Sequence, residues 1–306
     1  MITMPTLHLG CGTQAGPLTI FPIWTEAPVT THRPYTTTLR GEGAVTELPD
    51  HPQVSTLVVT QPGPKPLLML EGALLSGGWQ HRVLTRDLLI AADRPTLLDV
   101  RCVEAGRWHG ETAQSTERRA APLAVRGALR SIRPDQSGAG EDDRDSRSAD
   151  QGDVWNRVAA YEHRFGAGAT SSLVDVQRRH EREVDMIVRE VRPQFGQRGV
   201  LIGVAGHPVL LEVFDHPRTL AEMLRTIVAS VALDAIGQTD APTSNTRARQ
   251  FVQRLQRAQL RATVREPGFT HRVASDDLLH VQSLDVARSL VHAAALNVRH
   301  ELVMAA

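Results

Sequence analysis

Apolar residues in the first third of the chain come in short runs broken by Gly and Pro. LTIFPIW (18–24), STLVVTQ (55–61), KPLLML (65–70), HRVLTRDLLIAA (81–92) and TLLDVRCVE (96–104) are the clearest. In the last, Leu98, Val100 and Cys102 alternate with Asp99 and Arg101, the period-two pattern of a half-buried strand. Gly77-Gly78 marks a turn between two runs. Strands in succession without helices predict an antiparallel β-sandwich or barrel-like sheet over residues 1–112.

The pattern then changes. PDQSGAGEDDRDSRSADQG (134–152) holds no aliphatic residue larger than Ala, so it cannot bury enough apolar area to offset its ordering entropy. Residues 113–152 therefore read as a flexible linker or loop. The acidic run lacks the central Gly and closing Glu of a calcium loop. From 153 to 306 helical and strand patterns alternate. A short helix is expected over Val154–Phe165. SSLVDVQRRHEREVDMIVREV continues with a Ser cap and with Val184, Ile187, Val188 and Val191 at helical spacing. GVLIGVAGHPVLLEVFD (199–215) reads as a hairpin turning at Gly206-His207-Pro208. Asp215 and Pro217 then open a helix carrying Leu220, Leu224, Ile227, Val228 and Val231. Asn245–Leu260 is expected as a helix, LRATVRE and LLHVQSL as strands, and Val286 to about Leu302 as a last helix. The fold class is α+β: an N-terminal β-rich domain (1–112), the linker (113–152), and a mixed α/β half (153–306).

Composition narrows the function classes. A chain of 306 residues is long enough for two domains. Its 34 basic and 34 acidic residues cancel, which argues against nucleic acid or an anionic membrane as partner. Aromatic residues, at 4%, are too few for a base-stacking platform. Cys11 and Cys102 form no CxxC and suit a cytoplasmic chain with incidental thiols. MITMPTLHLGCG is no secretory signal, and no stretch reaches eighteen uncharged apolar residues. GAGATSS lacks the Gly-Lys-Ser/Thr ending of a phosphate loop, HEREVD is not HExxH, and no GxSxG occurs. No metal and no cofactor is therefore expected.

The candidate site lies between Leu67 and Trp108. Glu71 directly follows the apolar run LLML, where a carboxylate caps a turn's amides, accepts from Arg82, or serves as a base with a raised pKa. Gln80 and Arg82 share strand parity, and an arginine flanked by Val83 and Leu84 needs an anion: Glu71, Glu104 or a ligand. Glu104, Arg107 and Trp108 follow a strand in a turn that Gly106 permits, and Trp108 either lies over the arginine or plugs the end of the sheet. Glu71 and Glu104 are thus the catalytic candidates, and Gln80, Arg82, Arg107 and Trp108 the ligand-binding ones. Cys102 shares the parity of Leu98 and Val100 and reads as a core thiol. Glu212, among Leu and Val, reads as a carboxylate hydrogen-bonded to a neighbouring helix.

LLMLEGALLSGGWQHRVL and RCVEAGRW, with DVWNRVAAY, GVLIGVAGHPVLLEVFDHPRTLAEML and VASVALDA, resemble the ADP-ribosylglycohydrolase- and rhodanese-phosphatase-associated protein domain. Trp79 and His81 stand where that family more often has a small or basic residue and an Asn. The resemblance implies work near ADP-ribose, nucleotide or NAD-derived metabolism, or in stress and conflict systems. It carries no catalytic residues, so two readings stay open. One is a protein binding or processing a nucleotide or ADP-ribose-like anion at a Glu/Arg pocket in the β-rich half. The other is a non-enzymatic interaction or scaffold protein in a stress-response or conflict system, homo-oligomeric or not, whose Glu/Arg cluster is structural.

Overall fold

The computed structural model describes residues 4–305 except 40, 50, 51, 93, 117, 132–140, 167–170 and 267; for 131 and 141–149 it describes the backbone alone. The strands are β1 (Leu7–Leu9), β2 (Thr13–Ala15), β3 (Leu18–Thr25), β4 (Ala44–Thr46), β5 (Thr56–Thr60), β6 (Leu67–Met69), β7 (Leu74–Gly77), β8 (Arg82–Leu84), β9 (Leu88–Ile90), β10 (Thr96–Cys102), β11 (Glu104–Ala105) and β12 (Ala113–Ser115). Helices α1 (Leu123–Ser131) and α2 (Glu141–Phe165) follow, then β13 (Ser171–Ser172), α3 (Leu173–Arg179) and α4 (Glu181–Val188). The chain ends with β14 (Gly199–Val204), β15 (His207–Phe214), α5 (Pro217–Ala235), α6 (Asn245–Arg257), β16 (Arg261–Glu266), β17 (Phe269–Ser275), β18 (Leu279–Val286), β19 (Ser289–Asn297) and α7 (Glu301–Met304). The α+β class read from the sequence is the observed one. Contacts divide the chain into two compact units, residues 1–32 with 182–304, and residues 33–181 with 305–306. These boundaries follow spatial contacts, whereas the segmentation at 112 and 152 followed composition.

The first unit is built on one antiparallel sheet in the order β1-β3-β14-β15-β19-β18-β17-β16, with β2 also pairing β3. Every residue of β14 is buried, as are Pro208–Phe214 of β15, because central strands covered on both faces need continuous apolar sequence. Helix α6 sets Phe251, Val252 and Leu255 against Phe21, Ile23, Leu201, Leu211 and Val213. Helix α5 also packs on β14 and β15 but shares no residue with that cluster, so it covers the opposite face. The predicted stripe of Leu220, Leu224, Ile227, Val228 and Val231 is buried there.

Three local expectations change. SLVHAAALN forms β19, not a helix. Its alanines suit a helix, but pairing with β15 on one side and β18 on the other overrides that propensity. The 199–215 hairpin turns at Ala205-Gly206, both with positive φ (47° and 83°), and His207-Pro208 already belong to β15. Within the expected linker, Leu123–Ser131 and Glu141–Phe165 are helical. The apolar residues of LAVRGALRS give α1 a buried face that reading the segment by its polar end overlooks. The part of the linker at 132–140 lies outside the described residues. Glu212 is buried, and His292 of β19 lies 3.5 Å from its carboxylate.

Two glycines separate packing from propensity. A Cβ at Gly199 would sit 2.6 Å from the Glu212 carbonyl oxygen, a backbone atom that cannot yield. Gly152, inside α2, has nothing within 4 Å. Gly199→Ala is expected to lower stability by about 1–3 kcal/mol through overpacking. Gly152→Ala should raise it by about 0.5–1 kcal/mol through helix propensity. Urea unfolding of both variants reads the opposite signs.

Candidate functional site

In the second unit β10-β5-β4-β12-β7-β8 close into a six-stranded antiparallel barrel. Cross-strand partners share a face, so the register defines the lining. Leu57 lies opposite Leu98, Val45 opposite Val59 and Gln114, Arg82 opposite Cys102 and Leu75. Val45, Leu57, Val59, Leu75, Leu98, Val100 and Cys102 are all completely buried, which marks this face as the interior. Small barrels fill their interior with side chains. Here the filling includes one guanidinium: Arg82 is 0% exposed.

Arg82 is incompletely paired. Its Nη1 donates to Gln80 Oε1 (3.2 Å) and the His81 carbonyl (3.5 Å). Its Nη2 lies 3.9 Å from Glu47 Oε1, too far for a hydrogen bond, and both Nε and Nη2 have no acceptor. Burial pulls the guanidinium below its ordinary pKa, and the nearby Cys102, Glu47 and Glu104 oppose that shift. The Trp108 ring covers the cation at 5.6 Å, and Trp79 meets Trp108 edge-on at 5.3 Å.

The residues around it form a connected set. Glu47 Oε1 accepts from the Trp79 backbone N–H (3.0 Å) and from Gln114 Nε2 (3.2 Å), which also donates to the Gln80 carbonyl (3.1 Å). Glu47 Oε2 and Gln114 Oε1 are buried without partners. Gly78, with φ +54°, makes this approach feasible: a Cβ there would lie 1.9 Å from Gln114 Nε2. The Cys102 sulfur lies within reach of two acceptors, Gln80 Oε1 (3.2 Å) and the Glu104 carbonyl (2.7 Å), for its single proton. Burial pushes its pKa up, so it stays a thiol despite neighbouring Arg82. The Gln151 side chain of α2 takes both the N–H and the carbonyl of Cys102, each at 2.9 Å.

Glu104 and Arg107 form a closed pair. Arg107 Nε and Nη2 grip the two carboxylate oxygens at 2.9 and 2.6 Å. The remaining Arg107 donors go to the carbonyls of Gly77, Gly78 and His109. A guanidinium has five N–H donors, so Arg107 has none left for a ligand. Burial would raise the Glu104 carboxyl, but the Arg107 hydrogen bonds, the His81 N–H and nearby positive charge bring it below the usual range. Burial also keeps His81 neutral, with its Nδ1 accepting from the Gly77 N–H (2.9 Å).

The six residues singled out from the sequence thus divide. Gln80, Arg82, Glu104, Arg107 and Trp108 come together at the barrel. Glu71 does not join them: its carboxylate faces Arg130 (2.7 Å) and Arg126 (3.6 Å) of α1, and its N–H donates to Asp87. Sequence reasoning missed Glu47 and Gln114, which complete the set. Each sits in or beside a three-residue strand with no motif to flag it, and barrel closure alone brings them to Arg82. Among the described residues no group of three or more His, Cys, Asp or Glu is placed to hold a metal ion, and no helix is long and apolar enough to cross a membrane.

The Glu104–Arg107 clamp yields a pH-dependent prediction. Arg107→Ala leaves a buried carboxylate unpaired and should cost on the order of 3 kcal/mol at neutral pH. Because the folded-state pKa of Glu104 is depressed, the contribution of the clamp is present above the unfolded-state pKa and is lost as pH falls through the folded one. The gap between wild type and Arg107→Ala in denaturant midpoint should therefore narrow on acidification below about pH 4. A gap constant from pH 7 to pH 3 contradicts the assignment.

The family model of the ARG and Rhodanese-Phosphatase-superfamily-associated Protein domain matches residues 6–296 of the chain. No curated protein and no solved structure matches.

Proposed function

The chain belongs to the family of ARG and Rhodanese-Phosphatase-superfamily-associated Protein domains, and from that premise we propose that its barrel binds an anionic small molecule of the nucleotide or ADP-ribose class at Arg82. With ARG standing for ADP-ribosylglycohydrolase, ADP-ribose-like molecules are the first ligands to consider. The observation that carries the reading is the unspent guanidinium: two donor nitrogens of a fully buried Arg82 lack acceptors. Buried polar atoms are nearly always paired, and a half-satisfied network costs more than an apolar core. A ligand acceptor at Nε and Nη2 completes it. Trp108, 42% exposed, covers Arg82 from outside and offers an aromatic face to whatever enters. Arg107 and Glu104 then hold the Trp108 turn and do no chemistry on the ligand. An ionised Glu104 gripped at both oxygens is a poor proton donor, and Glu71 is bound up with α1. The reading is accordingly one of binding, not turnover.

The same saturation of Arg107 and Glu71 favours a second reading, a scaffold or interaction protein whose charged groups serve only the fold. Thermal shift and calorimetry with ADP-ribose, NAD and adenine nucleotides separate the two. A binding protein rises in Tm with at least one of them, by about 2.7 kcal/mol of stability at a hundredfold excess over Kd. Arg82→Gln should weaken that ligand tenfold or more. A flat response across the whole panel removes the ligand reading and leaves the scaffold.

A further inference from the structure

The unpaired atoms at Arg82 are of both kinds. Arg82 Nε and Nη2 are donors in need of an acceptor; Glu47 Oε2 and Gln114 Oε1 are acceptors in need of donors. All belong to side chains at least 94% buried, and they are joined through Glu47 Oε1, which receives Gln114 Nε2 and lies 3.9 Å from Arg82 Nη2. The orientation of the Gln114 amide is fixed by its two acceptors: flipping it would set its oxygen against Glu47 Oε1 and the Gln80 carbonyl.

We infer that the part of the ligand entering the barrel is a planar group carrying an acceptor and a donor side by side, a carboxamide or a nucleobase edge, and that the phosphates stay outside. This rests on the reading of the barrel as a ligand site. A phosphate would satisfy Arg82 but meet the Glu47 carboxylate beside it and leave both unpaired acceptors without donors. A carboxamide answers both needs at once, its carbonyl toward Arg82 and its N–H groups toward Glu47 and Gln114. The Trp108 ring over Arg82 suits a flat group beside the guanidinium.

Fragments of the parent ligands decide the matter. Tryptophan fluorescence and calorimetry are followed with nicotinamide, adenosine, ribose 5-phosphate and inorganic pyrophosphate, alone and against bound ADP-ribose or NAD. At least one neutral fragment should bind and displace the parent, while ribose 5-phosphate and pyrophosphate do neither. Glu47→Gln should weaken the neutral fragment tenfold or more. Its amide oxygen must stay at the Trp79 N–H and Gln114 side, which puts an NH2 where the acceptor oxygen was. Trp108→Ala, changed at a partly exposed ring, should cost at least fivefold with the fold intact by circular dichroism. Displacement by the phosphates with silent neutral fragments overturns this inference and leaves the barrel site standing. Unchanged fragment affinity in both variants also overturns it. Silence from the parents and every fragment removes the barrel site itself.

Discussion

A charge that cannot be discarded sits inside the barrel. Burying a guanidinium costs several kcal/mol unless its surroundings return that energy, and an arginine cannot escape by losing its proton. Around Arg82 the chain answers in layers. Gln80 and the His81 carbonyl take one end, Glu47 supplies opposite charge at a distance, and Trp108 closes the top with its ring face. The neighbouring groups are settled in forms that add no further charge: Cys102 as a thiol and His81 as a neutral imidazole. The answer is incomplete: donors on Arg82 and acceptors on Glu47 and Gln114 are left over within one connected set.

The clamp beside it is of another kind. Arg107 reaches from the turn after β11 to the carbonyls of Gly77 and Gly78 at the β7–β8 turn, while holding the carboxylate of Glu104. One side chain therefore ties two turns at the same end of the barrel. Trp79 and Trp108, which flank those ties in sequence, owe their meeting to it. The two arginines looked equivalent along the chain, each near a glutamate in an apolar setting. In space one is fully used and the other is not.

Much of this is legible in the sequence. The strand pattern of β10 turns Leu98, Val100 and Cys102 inward as their alternation implies, whereas Gln80 meets Arg82 from the turn before β8 and not from a shared strand. Of the two roles open to Trp108 from its sequence setting, the ring over an arginine is the one found, on Arg82. What stayed hidden depends on closure. Glu47 and Gln114 come from short strands that carry no periodic signal, and only the β4–β12–β7 pairings place them. The pairing of Glu71 with Arg130 was hidden because α1 lay in a segment read by its polar end. The alanine-rich β19 was hidden because local propensity cannot see two neighbouring strands.

The central sheet of the first unit joins chain segments far apart. Phe21 of β3 pairs with Leu201 of β14, and all of residues 33–181 come between. During synthesis from the N-terminus the barrel unit is nearly complete before β14 exists. Strands β1–β3 must therefore wait, with Phe21 and Ile23 still exposed, until the ribosome has delivered the partner that buries them. Sequence separation alone thus favours folding of the inserted unit before completion of the sheet. Strands β1–β3 are the stretch left waiting for a partner in the interval.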